Sequence, residues 1–372
     1  MELSDLRNKI DDIDDKILDL FVERMNICRD IAEYKLVNKL PVMQGNREEQ
    51  ILSRVRERSP ADLADGSAEL FSEIMDISKG IQQRELYSKT AHILEPKLFL
   101  PKMARVIACP GIIGSNTEIA VRKLFPTQEI RYMNSFDDVF RAVEEHDTDF
   151  GVIPIQNSTV GSVSETYDLM AKHNFYITSM IRLEIAHCLA VKKGTSFMDI
   201  TKVYSHPQAI SQCSEFIANN SLIPADSLNT SIAAKLVSDS SEPIACICSE
   251  RCAEIYGLEI LNRDIANAEK NFTRFICIAK DFYATESSKI ISVSLSIPHT
   301  KGSLYRLLTK FSMNGFNLVR LENKPIAGTP FEVIFYLDFE GRYDDIRVCA
   351  LMEELKNELS YFKFMGNYSE II

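Results

Sequence analysis

A seven-residue repeat of apolar side chains in the first 36 residues constrains the fold of this chain most strongly. One heptad position is occupied by Leu3, Ile10, Ile17, Arg24 and Ile31. The alternate position is occupied by Leu6, Ile13, Leu20, Ile27 and Tyr34. No Pro or Gly interrupts the run, so the pattern predicts one helix of about 50 Å over residues 3–36. A helix of this length needs a partner helix to cover its apolar seam.

Arg24 breaks the apolar pattern at a seam position that holds Ile17 and Ile31 one heptad away. A buried guanidinium needs a counter-charge, although an isolated arginine here is also consistent with a residue that specifies register or reaches solvent. Lys35 lies on nearly the same face, whereas Arg7 lies roughly 25 Å away along the axis. In an antiparallel pair of such helices, Arg7 of one chain approaches Arg24 of the other. This arrangement predicts a cationic pocket for a small polyanion.

Composition restricts the class of protein. A length of 372 residues with 45% hydrophobic content is enough for two or three domains with cores of their own. We expect no membrane association and a cytoplasmic location, because no run reaches the ~18 uncharged apolar residues of a span and no signal-peptide core is present. The net charge of -11 argues against binding to nucleic acid. Nine cysteines without paired spacing indicate reduced, mostly buried thiols.

Three local motifs contain residue types that occur in cofactor or nucleophile sites. Cys246, Cys248 and Cys252 lack a second pair of ligands nearby, which argues against a metal. The glycines of residues 111–114 do not fit a dinucleotide fingerprint or a P-loop. Ser205 and His206 are adjacent at a strand end and have no evident acidic third member, so covalent catalysis is not expected. We therefore expect neither a metal nor another cofactor.

The next two segments also have helical patterns. Asn46 and Glu49 have the spacing of a capping box and predict a second helix that ends near Arg58. Apolar residues at helical spacing predict a third helix from about Ala68 to Ile93. The three helices predict an all-α module over residues 1–95 that needs a second copy to complete its core.

This segment resembles the all-helical chorismate mutase domain, whose members pair as intertwined dimers. The residues that carry the resemblance are Arg7, Arg24, Lys35, Arg47, Glu48, Ser78 and Gln82. Gln44 stands where some relatives have Asp, and it is a further candidate for substrate binding. The resemblance implies conversion of chorismate to prephenate by confinement of a dianion in its reactive conformer. It also implies that the arginines hold carboxylates, that Lys35 and Gln82 donate to the ether oxygen, and that Glu48 accepts the ring hydroxyl.

An α/β domain is predicted over residues 104–282. Pro96 and Pro101 end the helical periodicity, and short apolar runs then alternate with helical segments. The predicted strands are 105–109, 129–133, 150–155, 176–181, 186–191, 202–204, 243–247 and 272–278. Small polar donors are concentrated in residues 111–117, 154–161, 205–212 and 271–275.

Together these segments resemble the prephenate dehydratase domain. The resemblance rests on residues 154–159, 187–189, 204–208, 212–213, 256–258 and 271–275. It implies two α/β lobes around a cleft, as in periplasmic binding proteins, with the chain crossing back near Asn262. It implies that Thr273 donates to the leaving hydroxyl. The candidates for positioning or binding the substrate are Asn157, Ser205, Gln212, Thr117, His206, Gln208 and Arg274, although Arg274 can equally be structural and His206 can equally be a helix cap.

This chain departs from the dehydratase pattern at two places. Relatives usually have Glu where Gln156 stands, and an aromatic residue followed by Ser where Asn116 and Thr117 stand. The first change is the more consequential, because a carboxylate can transfer a proton and an amide cannot. The alternative function is therefore an active mutase with an impaired dehydratase domain that is retained for regulation or assembly.

Residues 289–372 have a βαββαβ pattern, which predicts a ferredoxin-like fold. The module resembles the regulatory ACT domain, through Gly302, Ser303 and Leu304 at the first helix start and Glu322, Asn323, Lys324 and Pro325 after the second strand. The family motif normally reads Glu-Ser-Arg-Pro, and Lys324 keeps the positive charge without the planar fork of Arg. The resemblance implies that phenylalanine binds these two segments at an interface between two modules.

The resemblances together imply a multidomain, bifunctional enzyme of phenylalanine biosynthesis that forms a homodimer or a larger oligomer. Its expected small-molecule partners are chorismate, prephenate and phenylalanine. A solute-binding protein or a transcription regulator fits the α/β cleft, but the chain has no signal peptide and no basic recognition helix. A catalytically silent assembly protein fits poorly with the intact set of mutase residues.

Overall fold

The computed structural model describes residues 2–38, 40, 45–90, 95–98, 101–268, 270–325 and 333–371. The chain forms two compact units. The first unit comprises Met1–Leu94 and Ile291–Phe364, and the second comprises Glu95–Ile290 and Met365–Ile372. Within the described ranges, no helix has the combination of length and apolar character that a membrane crossing requires.

Three helices open the first unit: α1 (Leu3–Val37), α2 (Gly45–Arg58) and α3 (Ala64–Thr90). All three predicted helices are confirmed, and the third begins before the predicted Ala68. The predicted capping box is wrong, because α2 begins at Gly45 and Asn46 lies inside the helix. The long helices α1 and α3 pack together, and α2 packs on α3. Met25, Cys28 and Ala32 are the buried apolar residues of α1, and their spacing of three and four residues defines one helix face.

The heptad seam of α1 is not part of that buried face. The nine apolar seam residues are 41–66% exposed in this unit: Leu3, Leu6, Ile10, Ile13, Ile17, Leu20, Ile27, Ile31 and Tyr34. In a typical monomer the exposed apolar residues are scattered singly, whereas here they form a contiguous row along the whole helix.

The middle of the chain alternates strands and helices. The elements in chain order are β1 (Lys97–Leu98), β2 (Val106–Pro110), α4 (Asn116–Leu124), β3 (Glu129–Met133), α5 (Phe136–Glu144), β4 (Phe150–Asn157), β5 (Gly161–Ser162), α6 (Ser164–Lys172), β6 (Tyr176–Glu184), β7 (Cys188–Val191), β8 (Val203–Ser205), α7 (Pro207–Gln212), α8 (Ser214–Asn219), β9 (Pro224–Asp226), α9 (Thr230–Asp239), β10 (Ala245–Cys248), α10 (Glu250–Ile255), β11 (Glu259–Asn262), β12 (Phe272–Ala279) and β13 (Tyr283–Ala284). Each of the eight predicted strands is confirmed, with small shifts at the ends.

The last part of the chain has the predicted βαββαβ order followed by one short strand. Its elements are β14 (Ile290–Ser296), α11 (Ser303–Met313), β15 (Leu318–Pro325), β16 (Val333–Glu340), α12 (Ile346–Glu358), β17 (Tyr361–Tyr368) and β18 (Glu370–Ile371). Four of these strands form one sheet in the order β15-β16-β14-β17. Its core includes Leu295, Phe311, Leu337 and Leu351, and α12 packs against α3 within the first unit.

Two larger sheets form the second unit. The first has the order β18-β6-β12-β4-β2-β3 with β5 beside β4, and the second has the order β11-β7-β10-β8-β9. The chain leaves the first sheet after β6, builds the second sheet, and returns as β12. The predicted crossing near Asn262 is thereby confirmed, because Asn262 ends β11 and Thr273 lies in β12.

The cysteines are free and buried. Cys246, Cys248 and Cys252 lie in an apolar core with Ala190 and Val237. The expectation of mostly buried thiols is confirmed, and these side chains contribute to packing.

Candidate functional site

The helical part of the first unit contains a cavity of about 620 Å³ between α1, α2 and α3. The cavity is lined by Arg24, Lys35, Arg47, Glu48, Ser78 and Gln82 together with apolar side chains such as Ile27 and Met75. The structure therefore brings together six of the predicted mutase residues. Arg7 is exposed on α1 and is not among the lining residues, and Gln44 lies outside the described residues.

Arg24 has neutral partners. Its Nη1 donates to the hydroxyl of Ser78 and, at 3.4 Å, to the carbonyl of Ile74. Ser78 is buried and donates to the same carbonyl at 2.7 Å. The guanidinium is thus fixed on α3, yet no carboxylate among the described residues pairs with it. A cation fixed in a cavity without a counter-charge is suited to an anionic ligand.

Lys35 and Gln82 converge on one side of the cavity. Both are buried, and Lys35 Nζ lies 3.4 Å from Gln82 Oε1. Burial lowers the pKa of Lys35, and Cys28 and Glu48 offset only part of that effect. The amide oxygen faces Lys35, and among the described residues no acceptor takes the amide hydrogens of Gln82, so they can donate to a ligand atom. Two donors therefore point toward one region of the cavity.

Glu48 is held in place by a residue that the sequence did not identify. Its Oε2 accepts a hydrogen bond from Lys79 Nζ at 3.2 Å, and Lys79 lines the same cavity. Lys79 directly follows Ser78 in α3, and Ser78 is one of the predicted mutase residues. The cavity therefore combines cations for carboxylates with one oriented carboxylate.

In the second unit, Thr273 is the end point of a hydrogen-bond network. Its Oγ1 accepts from Asn157 Nδ2 at 2.9 Å, and the same amide donates to Asn271 at 2.8 Å. Asn157 Oδ1 accepts from the hydroxyl and backbone of Thr159 at 2.6 and 3.0 Å, and from the backbone of Val160 at 3.1 Å. These bonds fix the amide orientation, so Thr273 receives a hydrogen bond and keeps its own hydroxyl hydrogen for donation.

The network extends through Gln212 of α7 into the part of the second unit that is built around the sheet β11-β7-β10-β8-β9, which forms its second lobe. Gln212 Nε2 donates to Thr159 at 2.8 Å, and its Oε1 accepts from His187 Nε2 at 2.9 Å and from Asn271 at 3.1 Å. Burial lowers the pKa of His187, and the bond to Gln212 only partly opposes this effect. A neutral imidazole protonated on Nε2 fits these contacts.

The network contains three predicted residues, namely Asn157, Gln212 and Thr273. Sequence reasoning did not assign site roles to three others, namely Thr159, His187 and Asn271. All three lie inside the short segments that carried the dehydratase resemblance. The sequence contains one signal for them: their side chains can form hydrogen bonds, and they stand in the same motifs as the predicted site residues.

Apart from Arg274, four other predicted dehydratase residues lie outside this network. Ser205 is fully buried and donates to the carbonyl of Ile247 at 2.7 Å. His206 caps α7, because its Nδ1 accepts from the backbone of Gln208 at 3.2 Å. Thr117 is buried in the first turn of α4. The capping alternative for His206 is confirmed, whereas substrate contacts by these four residues stay predictions.

Arg274 has a carboxylate partner within its own chain. Arg274 Nε donates to Glu370 Oε1 at 2.8 Å, and its Nη1 donates to Gln156 Oε1 at 3.0 Å. The Arg274 and Glu370 side chains are 28% and 16% exposed. This pairing favours the structural alternative for Arg274. Because successive residues of a strand point to opposite faces, Gln156 and Arg274 lie on the sheet face opposite Asn157 and Thr273.

Gln156→Glu is therefore expected to leave dehydratase turnover within about threefold of the original rate, because the added carboxylate does not reach Thr273. Glu370→Gln should instead lower the free energy of unfolding by about 1 to 3 kcal/mol, since it removes the counter-charge of a half-buried arginine. Steady-state assays with prephenate and urea unfolding measure the two effects.

Combining Gln156→Glu with Glu370→Gln should recover stability, because a carboxylate again faces Arg274. Glu254→Gln is a suitable control, since Glu254 pairs with Arg251 on the exposed surface. A large increase in turnover for Gln156→Glu would contradict the assignment of Gln156 to the opposite face.

Comparison with known proteins finds matches to the two segments of the chain that contain these candidate sites. The family model described as chorismate mutase type II matches residues 6–83, and the one described as prephenate dehydratase matches residues 107–282. The bifunctional chorismate mutase/prephenate dehydratase of Escherichia coli (strain K12) is 31% identical over 381 residues, which cover 98% of this chain and 95% of that protein. The chain belongs to the bifunctional chorismate mutase/prephenate dehydratase family.

Two solved structures each resemble more than two thirds of this chain. A prephenate dehydratase from Arthrobacter aurescens in complex with L-Phe has a TM-score of 0.65 and 24% identity, covering 71% of this chain and 89% of that chain. A chain described as a novel type of quorum-quenching acylase has a TM-score of 0.65 and 25% identity, covering 72% of this chain and 98% of that chain.

Proposed function

We propose that the cavity between α1, α2 and α3 converts chorismate to prephenate and that the Thr273 network converts prephenate to phenylpyruvate. The observation that carries the proposal is the set of mutase residues in one cavity, with Arg24 lacking a carboxylate partner among the described residues. The chain is thus a bifunctional enzyme that acts on small anionic substrates.

The first reaction is an intramolecular rearrangement, so the protein needs no nucleophile. Arg24 and Arg47 bind the two carboxylates and hold the substrate in its reactive conformer. Lys35 and Gln82 donate to the ether oxygen as the carbon–oxygen bond breaks and negative charge develops there. Glu48 accepts a hydrogen bond from the ring hydroxyl.

A second copy of the chain completes this site. Arg7 lies outside the cavity of its own chain, and the apolar seam of α1 is exposed along its length. Antiparallel pairing of two α1 helices covers both seams and brings Arg7 of one copy to the Arg24 region of the other. We therefore propose a homodimer, with larger assemblies built from it.

The second reaction couples two bond cleavages. The ring carboxylate leaves as carbon dioxide, its bonding electrons enter the ring, and the ring hydroxyl leaves with a proton as water. Thr273 donates its hydroxyl hydrogen to the departing oxygen, while Asn157 Nδ2 donates a hydrogen bond to the threonine oxygen. Gln212 connects the two lobes and fixes the geometry of this donor.

Two alternatives are less well supported. A retained but impaired dehydratase was suggested by Gln156, yet Gln156 contacts Arg274 on the sheet face away from Thr273. An acylase with a serine nucleophile is not favoured by Ser205 and His206, because these side chains hydrogen-bond to two different backbone groups. Both contacts support the bifunctional assignment.

The proposed function is tested by supplying the purified chain with chorismate. Loss of chorismate absorbance in the ultraviolet reports the first step, and phenylpyruvate formation reports the second. Arg24→Ala should block only the first step and Thr273→Val only the second. Consumption of chorismate without any phenylpyruvate would identify the impaired-dehydratase alternative.

We also propose three domains, over residues 1–95, 104–282 and 289–372, of which the last is an ACT domain with a ferredoxin-like fold. The sheet order β15-β16-β14-β17 supports that fold. Gly302 has a φ of 80° and precedes α11, whose first backbone amides suit a carboxylate. The proposed phenylalanine site combines Gly302, Ser303 and Leu304 with Glu322, Asn323, Lys324 and Pro325. L-Phe in the Arthrobacter aurescens structure supports this ligand.

Phenylalanine should bind the full chain and inhibit the dehydratase more than the mutase. Glu322→Gln should weaken binding about tenfold or more, because a contact between Glu322 and the ammonium group loses its charge assistance. Calorimetry measures the affinity, and Glu340→Gln on the neighbouring strand is the control. Equal affinity in the Glu322 variant would remove this residue from the site. Absence of binding to the original chain would mean that the altered Glu322–Pro325 motif has lost its ligand.

A further inference from the structure

A cluster of charged side chains connects the mutase cavity with the βαββαβ part of the first unit. Its members come from four helices. They are Glu48 of α2, Asp76 and Lys79 of α3, Lys310 of α11, and Glu354 and Glu358 of α12.

Lys79 is the centre of this charged cluster. Its Nζ lies 2.7 Å from Asp76, 3.2 Å from Glu48 and 3.8 Å from Glu358. Glu358 also pairs with Lys310 at 2.9 Å, and Lys310 pairs with Glu354. Glu358 thus bridges the lysine that contacts the mutase carboxylate and a lysine of the βαββαβ part.

The cluster is shielded from solvent, so its charges interact strongly. The side chains of Lys79 and Asp76 are 13% and 10% exposed. Burial lowers the pKa of Lys79, but Asp76, Glu48 and Glu358 together outweigh burial and raise it overall. Lys79 therefore remains a cation over the physiological range, and it keeps a fixed contact with Glu48.

We propose that Lys79 is a positioning residue of the mutase site, which holds the Glu48 carboxylate and links its position to α12 through Glu358. The inference rests on the proposed role of Glu48 in binding the ring hydroxyl. In this role Lys79, which lines the cavity, acts on the substrate by orienting Glu48. A shift of α12 that moves Glu358 would change how firmly Lys79 holds Glu48, which gives the βαββαβ part a route to the mutase cavity.

A double-mutant cycle separates this role from a general effect of charge. Lys79→Met should lower kcat/KM for chorismate by about tenfold to a hundredfold, mainly through kcat, because loss of a charge-assisted hydrogen bond frees Glu48. Lys79→Arg should restore part of the activity. In a Glu48→Gln background, Lys79→Met should have an effect of less than about threefold, since coupled residues are non-additive. Lys356→Met, an exposed lysine of α12, is the matched charge control.

The outcomes distinguish the possible failures. An inactive original chain would contradict the proposed function itself. An active original chain with full activity in Lys79→Met would overturn only the positioning role. A further contrary result is an equally large effect of Lys79→Met in the original chain and in the Glu48→Gln background. That result would also overturn the positioning role, because Lys79 would then act on the substrate directly or through its charge.

The link to α12 is tested with Glu358→Gln and phenylalanine. Glu358→Gln should reduce the change that phenylalanine causes in mutase kcat/KM by half or more, while the dehydratase response stays unchanged. Glu353→Gln, one turn earlier in α12, is the control. An unchanged phenylalanine effect on the mutase in Glu358→Gln, or no effect in the original chain, would overturn this route.

Discussion

Replacing Arg24 with Ala should reduce kcat/KM for chorismate by roughly 30-fold to several thousandfold, which corresponds to about 2 to 5 kcal/mol for a buried charge pair. Arg24 is held by Ser78 and by the carbonyl of Ile74, and these contacts direct its charge without neutralising it. Removal of the guanidinium leaves a substrate carboxylate without its partner. Steady-state assays that follow the decrease in chorismate absorbance measure the loss of kcat/KM.

Arg24→Lys should recover little of this activity. A guanidinium can contact Ser78, a backbone carbonyl and a carboxylate together, whereas one ammonium group has a different shape and a shorter reach. Arg29→Ala is the matched control, because Arg29 lies on the exposed surface of the same helix and contacts Asn26. A lysine variant with near-normal activity would show that Arg24 supplies only charge.

Mixed chains test whether the mutase site is shared between two copies. A preparation that contains Arg7→Ala and Arg24→Ala chains should regain activity, because one of the two sites in a heterodimer then has both arginines. Chain exchange is checked with differently tagged copies. Exchange without any recovery of activity would contradict the proposed contribution of Arg7 from the second copy.

Thr273→Val is expected to lower dehydratase kcat by about 10²- to 10³-fold while leaving KM for prephenate nearly unchanged, since one preorganised donor is lost at the site of developing charge. Valine keeps the shape of threonine. The Thr273 hydroxyl hydrogen has no partner among the described residues, so its loss should affect the reacting substrate more than the fold.

Thr178→Val provides the control within the same sheet. Thr178 is buried and donates to the carbonyl of Cys277 at 3.2 Å, so this variant also loses one hydroxyl hydrogen bond. It should lower stability with little effect on turnover. Equal losses of turnover and prephenate affinity in Thr273→Val would make Thr273 a binding residue.

The sequence predicts the long elements of this fold well, because periodic burial is a local property. The heptads of α1 and the βαββαβ order both repeat over enough residues for the pattern to be recognised. Several of the strands of two to four residues were not predicted, including β5, β9, β11 and β18, because runs this short show little alternation. Their positions depend on neighbouring strands in the sheets.

The sequence suggests candidate site residues more readily than their partners. The heptad pattern points to Arg24 and Lys35, and the resemblance to the dehydratase domain points to Thr273. Glu370 lies 96 positions from Arg274, and its contact arises only when β18 joins β6. Lys79 was not predicted for the same reason, since its partners come from different helices. Long-range pairing of this kind has no local sequence pattern.

The position of β18 has a consequence for the order in which the chain can fold during synthesis. This strand pairs in parallel with β6, and Glu370 aligns with Met180. The helices of residues 3–90 can form while later residues are still being made, because Gln82 is the last of the described residues that line their cavity. The first sheet of the second unit cannot be complete until residue 371 has left the ribosome. The dehydratase is therefore expected to mature after the helical segment on each nascent chain, and a ribosome stalled near residue 360 would display a sheet with an open edge and an Arg274 that lacks its carboxylate partner.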